Sequence, residues 1–171
     1  MHHTLSVLVE NSPGVLARVA GLFSRRGFNI ESLAVGPTEQ EDRSRITLRV
    51  DASQHSIDQV IKQLYKLINV LKVNEMTAED AIEREMMIVR VTAQPGERAD
   101  LIRLAEVFSA RVCDVGPTSL MFECLEHPDK LYAFEEILKP YGIKEVVRTG
   151  RIAMRKSVPE RARGGRMRVL A

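Results

Sequence analysis

Thr4 to Glu10 alternates, with Leu5, Val7 and Val9 on one face, which predicts a half-buried strand. Asn11-Ser12-Pro13-Gly14 then signals a turn and a helix start. Val15, Leu16, Val19, Leu22 and Phe23 follow helical spacing up to Gly27, a natural stop. Phe28 to Val35 reads as a strand closed by Gly36-Pro37, and Arg45 to Asp51 alternates with Ile46, Leu48 and Val50 inward. Ile57, Val60, Ile61, Leu64 and Ile68 predict a second helix, and Val70 to Val73 a last strand. The order is β-α-β-β-α-β.

The second half repeats this order. Met86 to Thr92 predicts a strand, and Leu101, Leu104, Ala105 and Phe108 a helix. Arg111 to Val115 and Ser119 to Leu125 are strands joined at Gly116-Pro117. Pro128 opens a helix where proline is tolerated, lined by Leu131, Phe134 and Leu138, and Ile143 to Val147 closes the unit. Short matches fall at nearly one offset: Ser12-Pro13-Gly14 with Gln94-Pro95-Gly96, and Val35-Gly36-Pro37-Thr38 with Val115-Gly116-Pro117-Thr118. Two such units predict an α+β chain of two consecutive ferredoxin-like βαββαβ domains, each with helices on one sheet face. The expected divisions are residues 1–76, a polar linker at 77–84, a second domain at 85–150 and a tail at 151–171. A sheet with one uncovered face and open edges needs a partner, so a homodimer is expected.

Composition narrows the class. The chain has 171 residues, enough for two small domains. The apolar runs are too short to span a bilayer, and no secretory leader is recognisable, so the expected setting is cytoplasmic, without a membrane partner. The net charge of +2 hides an asymmetry: residues 1–150 sum to −4 and residues 151–171 to +6. The acidic runs Glu39-Gln40-Glu41-Asp42 and Glu83-Arg84-Glu85 are read as solvated loop and linker.

No nucleophile–base set or phosphate loop emerges, and the four histidines are dispersed, so neither catalytic residues nor metal ligands are assigned. His55 and His127 precede helices and suit capping. Cys113 and Cys124 are expected as buried, reduced small hydrophobes rather than a redox pair. The informative cluster is Asn11, Gly14, Val15 and Leu16. A strand ends where a helix begins, so free N–H groups and a positive dipole end could receive a carboxylate. Gly14 would let a ligand approach the backbone, and Asn29, opening the next strand, could accept from an ammonium. Helix capping by Asn11 and a turn at Asn29 would explain the same residues without a ligand. The second unit has Glu97-Arg98 in place of Val15-Leu16 and lacks the Gly27-Phe28-Asn29-Ile30 sequence, which favours the ligand reading.

Leu5-Ser6-Val7-Leu8-Val9-Glu10-Asn11, Pro13-Gly14-Val15-Leu16-Ala17-Arg18-Val19 and especially the run Gly21 to Leu33 resemble the ACT domain of the small subunit of acetolactate (acetohydroxyacid) synthase. Arg84-Glu85-Met86-Met87 and Asp114-Val115-Gly116-Pro117 resemble that family's C-terminal domain. The resemblance implies a regulatory subunit in branched-chain amino acid (valine, leucine, isoleucine) biosynthesis, with no catalytic site of its own. It would activate a large catalytic subunit, a transferase carrying thiamine diphosphate, Mg and FAD, and confer allosteric feedback inhibition by valine. The effector would lie at a dimer interface, with Asn11, Gly14, Val15 and Leu16 from one protomer and Asn29 and Ile30 from the other. One alternative is an amino-acid-sensing ACT protein serving another enzyme. The other, a nucleic-acid-binding ferredoxin-like protein, is disfavoured because Leu5 to Val9 and Arg45 to Val50 offer no aromatic for base stacking.

Overall fold

A computed structural model describes residues 2–53 and 56–157. The expectations for His55 and for the tail from residue 158 fall outside the described residues. The first domain comprises β1 (His2–Glu10), α1 (Val15–Arg26), β2 (Asn29–Pro37), β3 (Arg43–Asp51), α2 (Ile57–Leu64) and β4 (Val70–Met76). Its sheet runs β2-β3-β1-β4, every pair antiparallel. The second comprises β5 (Ala81–Thr92), α3 (Arg98–Val107), β6 (Arg111–Val115), β7 (Ser119–Glu126), α4 (Pro128–Leu138) and β8 (Ile143–Arg148), with the matching order β6-β7-β5-β8. The fold is thus α+β, two ferredoxin-like units in series.

Each core forms where helical and strand periodicities meet. Val15, Val19, Leu22 and Phe23 put one stripe of α1 onto Leu5, Val7, Ile46 and Leu48 of the sheet. In the second domain, Phe134 of α4 stacks on Phe108 and meets Phe122 edge-on, with centroids 5.0 and 6.1 Å apart. His127 caps α4 by accepting from the Asp129 N–H, and Pro128 is the first helical residue. Helix α2 stops at Leu64, so Ile68 lies beyond it and is 87% exposed, contrary to the helical spacing that includes it.

The sharpest departures from expectation lie at 77–84 and 151–157. Strand β5 already begins at Ala81, inside the expected linker. Its first four residues pair with a further strand, β9 (Ile152–Arg155), inside the expected tail. This ribbon crosses the face of the first sheet opposite its helices, where Met76, Ala81 and Ala153 form a small core of their own. Thr4, Ser6 and Thr47 are consequently buried although they point away from α1 and α2. Gly150, at φ +77°, lies against the backbone of Leu33 in β2: a Cβ there would sit 3.3 Å from the Leu33 carbonyl oxygen.

Glu83 and Glu85 are therefore not solvated. Strand parity places both on the inward side of β5 in line with Met87 and Val89, and each is only 8% exposed. Arg151 meets Glu83 at 2.7 Å, and Arg148 bridges Glu85 at 3.2 Å and Glu135 at 2.6 Å. Such pairing offsets the desolvation that an unpaired buried carboxylate would suffer. Cys113 also departs from expectation: it falls at an irregularity of the β6–β7 ladder and is exposed, whereas Cys124 is buried. Burial and then the Glu123 carboxylate push the Cys113 thiol up; burial and then Glu126 do the same to Cys124.

Candidate functional site

The start of α1 is bare. Gly14 occupies the N-cap position at φ 82° and ψ −4°, a left-handed conformation natural to glycine. No side chain caps this end, and no acidic residue lies in its first turn. Asn11 does not cap it either. The Asn11 amide donates to the Glu41 carbonyl at 3.1 Å, and its backbone N–H donates to the Asp42 carbonyl at 2.8 Å. Asn11 thereby ties the end of β1 to the β2–β3 hairpin loop and leaves the dipole end of α1 open. A Cβ at Gly14 would meet nothing within 4 Å, so the space before the helix is clear.

The aliphatic candidates separate. Val15 is 4% exposed and packs in the first core. Leu16 is 44% exposed and offers apolar surface beside the bare helix start. Ile30 is half-buried against the same core, and Asn29 is exposed at the first position of β2. A network absent from the sequence expectations braces this region: Arg18 donates to Asn69, which donates to Glu10, at 2.5 Å each, and Glu10 N–H donates back to the Asn69 carbonyl. Its members are 51 and 59 residues apart, and the one local signal was a lone polar residue between Ile68 and Val70.

Within one chain the structure does not bring all six candidates together. Asn11, Gly14, Val15 and Leu16 lie at the N-terminal end of α1, while Asn29 and Ile30 follow its C-terminal end. The rest of the helix, from Ala17 to Arg26, separates the groups by about 15 Å of rise. Strand β2, which carries Asn29 and Ile30, is an edge of its sheet and pairs on one side with β3.

Residues 5–72 match a family model described as the AHAS small subunit-like ACT domain, and residues 84–157 match one for the small subunit of acetolactate synthase. The chain belongs to the acetolactate synthase small-subunit family. The family's regulatory subunit is therefore the kind of protein described here. A probable acetolactate synthase small subunit of Archaeoglobus fulgidus is 53% identical over 154 residues, covering 90% of this chain and 96% of that protein. The acetolactate synthase small subunit of Mycobacterium bovis is 51% identical over 152 residues, covering 89% and 90%. The crystal structure of the Thermotoga maritima small subunit superposes with a TM-score of 0.85 at 35% identity, covering 93% of this chain and 99% of that one. Among the described residues no helix is long and apolar enough to cross a membrane, and no three metal-ligating side chains cluster.

Proposed function

We propose that this chain binds the large catalytic subunit of acetolactate synthase, raises its activity and makes it sensitive to a branched-chain amino acid, valine in the first instance. The observation that carries the effector reading is the open start of α1, which lacks a side-chain cap and a first-turn acid. The backbone N–H groups there suit a carboxylate, and the exposed flank of Leu16 suits an aliphatic side chain.

The homodimer supplies the rest of the site. Antiparallel pairing of β2 with its copy places the two α1 helices antiparallel across a two-fold axis. The end of one α1 then lies beside the start of the other. Asn29 and Ile30 of one protomer meet Asn11, Gly14 and Leu16 of its partner, and the Asn29 carbonyl accepts from the ammonium. Val15 supports this pocket from the core. Valine bound across the two protomers favours one arrangement of the dimer, and feedback follows when that arrangement docks differently on the catalytic subunit. Thiamine diphosphate, Mg and FAD belong, in this reading, to the catalytic subunit, and the setting is the cytoplasm.

The test is Gly14→Asp in the reconstituted holoenzyme. Asp is strained at this positive φ, though less than most residues, and it places a carboxylate at the helix start. Valine inhibition is expected to disappear while activation of the catalytic subunit persists. Unchanged valine sensitivity would refute the assigned site.

A further inference from the structure

The first sheet has a second chemical feature, on the face opposite α1. Arg45, Leu8 and Lys72 stand side by side in one row across β3, β1 and β4. With strands about 4.8 Å apart, the two cations flank Leu8 at about 10 Å between backbones, well within reach of one another's side chains. Asn74 lies two residues along β4, on the same face. Arg155 of β9 reaches in from the ribbon, and a cavity of about 360 Å³ opens among these residues. No acidic residue lines it.

Three cations around one cavity repel one another unless an anion joins them. None has a carboxylate partner among the described residues. Arg45 donates to the Ser6 hydroxyl at 2.9 Å, and Arg155 reaches the Glu75 carbonyl at 3.5 Å. Glu75, the acid of β4, sits opposite Leu5, so its side chain turns to the helix face, where it meets His3 at 2.6 Å; Glu10, two residues from Leu8 on β1, is engaged by the Asn69 amide. Glu39 lines the neighbouring cavity along β2 but makes no ion pair with Arg45. The cations are therefore left with unspent donors: the remaining guanidinium N–H groups, the Lys72 ammonium and the Asn74 amide.

We infer that this inter-domain cavity is a binding site for a small multivalent oxyanion, of the phosphoryl or polycarboxylate class, held by Arg45, Lys72, Asn74 and Arg155. Arg45 and Arg155 offer planar forks suited to such oxygens, and Lys72 adds a point charge. Leu8 lines the base of the cavity between the two sheet cations, and the exposed Met154 lines it from the ribbon. Because Arg155 belongs to the ribbon and the other three to the first sheet, the bound anion ties the second domain onto the first. The inference is independent of the amino-acid site, which lies on the other face.

Calorimetric titration of the full chain with inorganic pyrophosphate and, separately, with citrate tests it, with NaCl used to match ionic strength. Saturable binding of either is expected, and the better ligand identifies the class. Lys72→Met and Arg155→Met should each weaken that binding about tenfold, and Lys72→Arg should largely restore it. Gly14→Asp should leave it unchanged. Valine titrated into Lys72→Met should bind as in the unaltered chain, so that failure of one site is distinguished from failure of the other. The inference is overturned if neither anion saturates at matched ionic strength. It is also overturned if Lys72→Met and Arg155→Met bind as the parent does, or if they lose valine and anion together.

Discussion

Helix α1 begins at a bare glycine turn, whereas α3, its counterpart in the second domain, begins inside a net of its own side chains. Glu97 turns back to accept from the Gln94 N–H at 3.1 Å. Arg98 donates to the carbonyls of Gly116 and Pro117 at 2.8 and 2.5 Å, and Asp100 adds a negative charge to the first turn. Neither start has a side-chain cap, so the two differ in their surroundings: α3 carries the carboxylates of Glu97 and Asp100 beside its free N–H groups, and α1 carries none. The proposed carboxylate site therefore rests on the absence of competing acids at the start of α1, rather than on the fold as such.

The domains differ again on their other faces. The first sheet is crossed by the ribbon of β5 and β9, while the second leaves Leu125 and Val147 exposed on its own outer face. The clasp of this ribbon is the pair Arg151–Glu83, with both side chains at most 13% exposed. Arg151→Met would strand a buried carboxylate, and a loss of about 3 kcal/mol in unfolding free energy is expected. Arg151→Met with Glu83→Met should recover most of it, because both charges then leave together. Denaturant unfolding of the four members of this cycle measures the coupling. A single variant as stable as the parent would show that the ribbon does not bind the domains.

Exchanging charge between the two helix starts sharpens the first contrast. Gly14→Asp and Gly96→Asp place the same carboxylate before α1 and before α3. Only the first should affect valine, with apparent affinity falling at least about tenfold, the scale of one lost charge-assisted contact. Gly14→Asn adds similar bulk without the charge and should fall between them. Valine inhibition curves of the three holoenzymes decide. Equal effects from Gly14→Asp and Gly96→Asp would remove the distinction between the domains.

Both domains were legible because their strands and helices carry local periodicities that a single unit can satisfy: Ile46, Leu48 and Val50 alternate, and Leu131, Phe134 and Leu138 fall on one helical stripe. The ribbon was not legible. Glu83-Arg84-Glu85 has the strand period, but its inward positions are charged, and what allows them to be buried is Arg148 and Arg151, more than 60 residues away. The candidate site was legible at Asn11 and Gly14 as a turn, but the missing cap depends on Asn11 turning to Glu41, which no local pattern records. Ser109 was likewise not legible in its role. It stops α3 in the left-handed conformation at φ 57°, as Gly27 stops α1 at φ 68°, although its sequence carries no glycine.

Smaller effects test how alike the remaining parts are. Arg98→Met releases the Gly116 and Pro117 carbonyls, both near the surface, and should cost about 1 kcal/mol. The smallest concerns the two helix stops. After Gly27, Phe28 N–H donates to the Phe23 carbonyl at 3.0 Å; after Ser109, Ala110 N–H donates to the Ala105 carbonyl at 2.9 Å. These are the same C-terminal motif, so the stop itself does not distinguish the two domains. A serine held at positive φ is strained where glycine is not. Ser109→Gly should therefore stabilise the second domain by roughly 0.5 kcal/mol, since the strain it relieves is partly offset by the greater entropy of an unfolded glycine. Gly27→Ser should destabilise the first by a comparable amount. Thermal unfolding of both variants, with valine inhibition of the Ser109→Gly holoenzyme unchanged, would assign these stops to folding alone; a shifted valine response in Ser109→Gly would instead extend the regulatory site into the second domain.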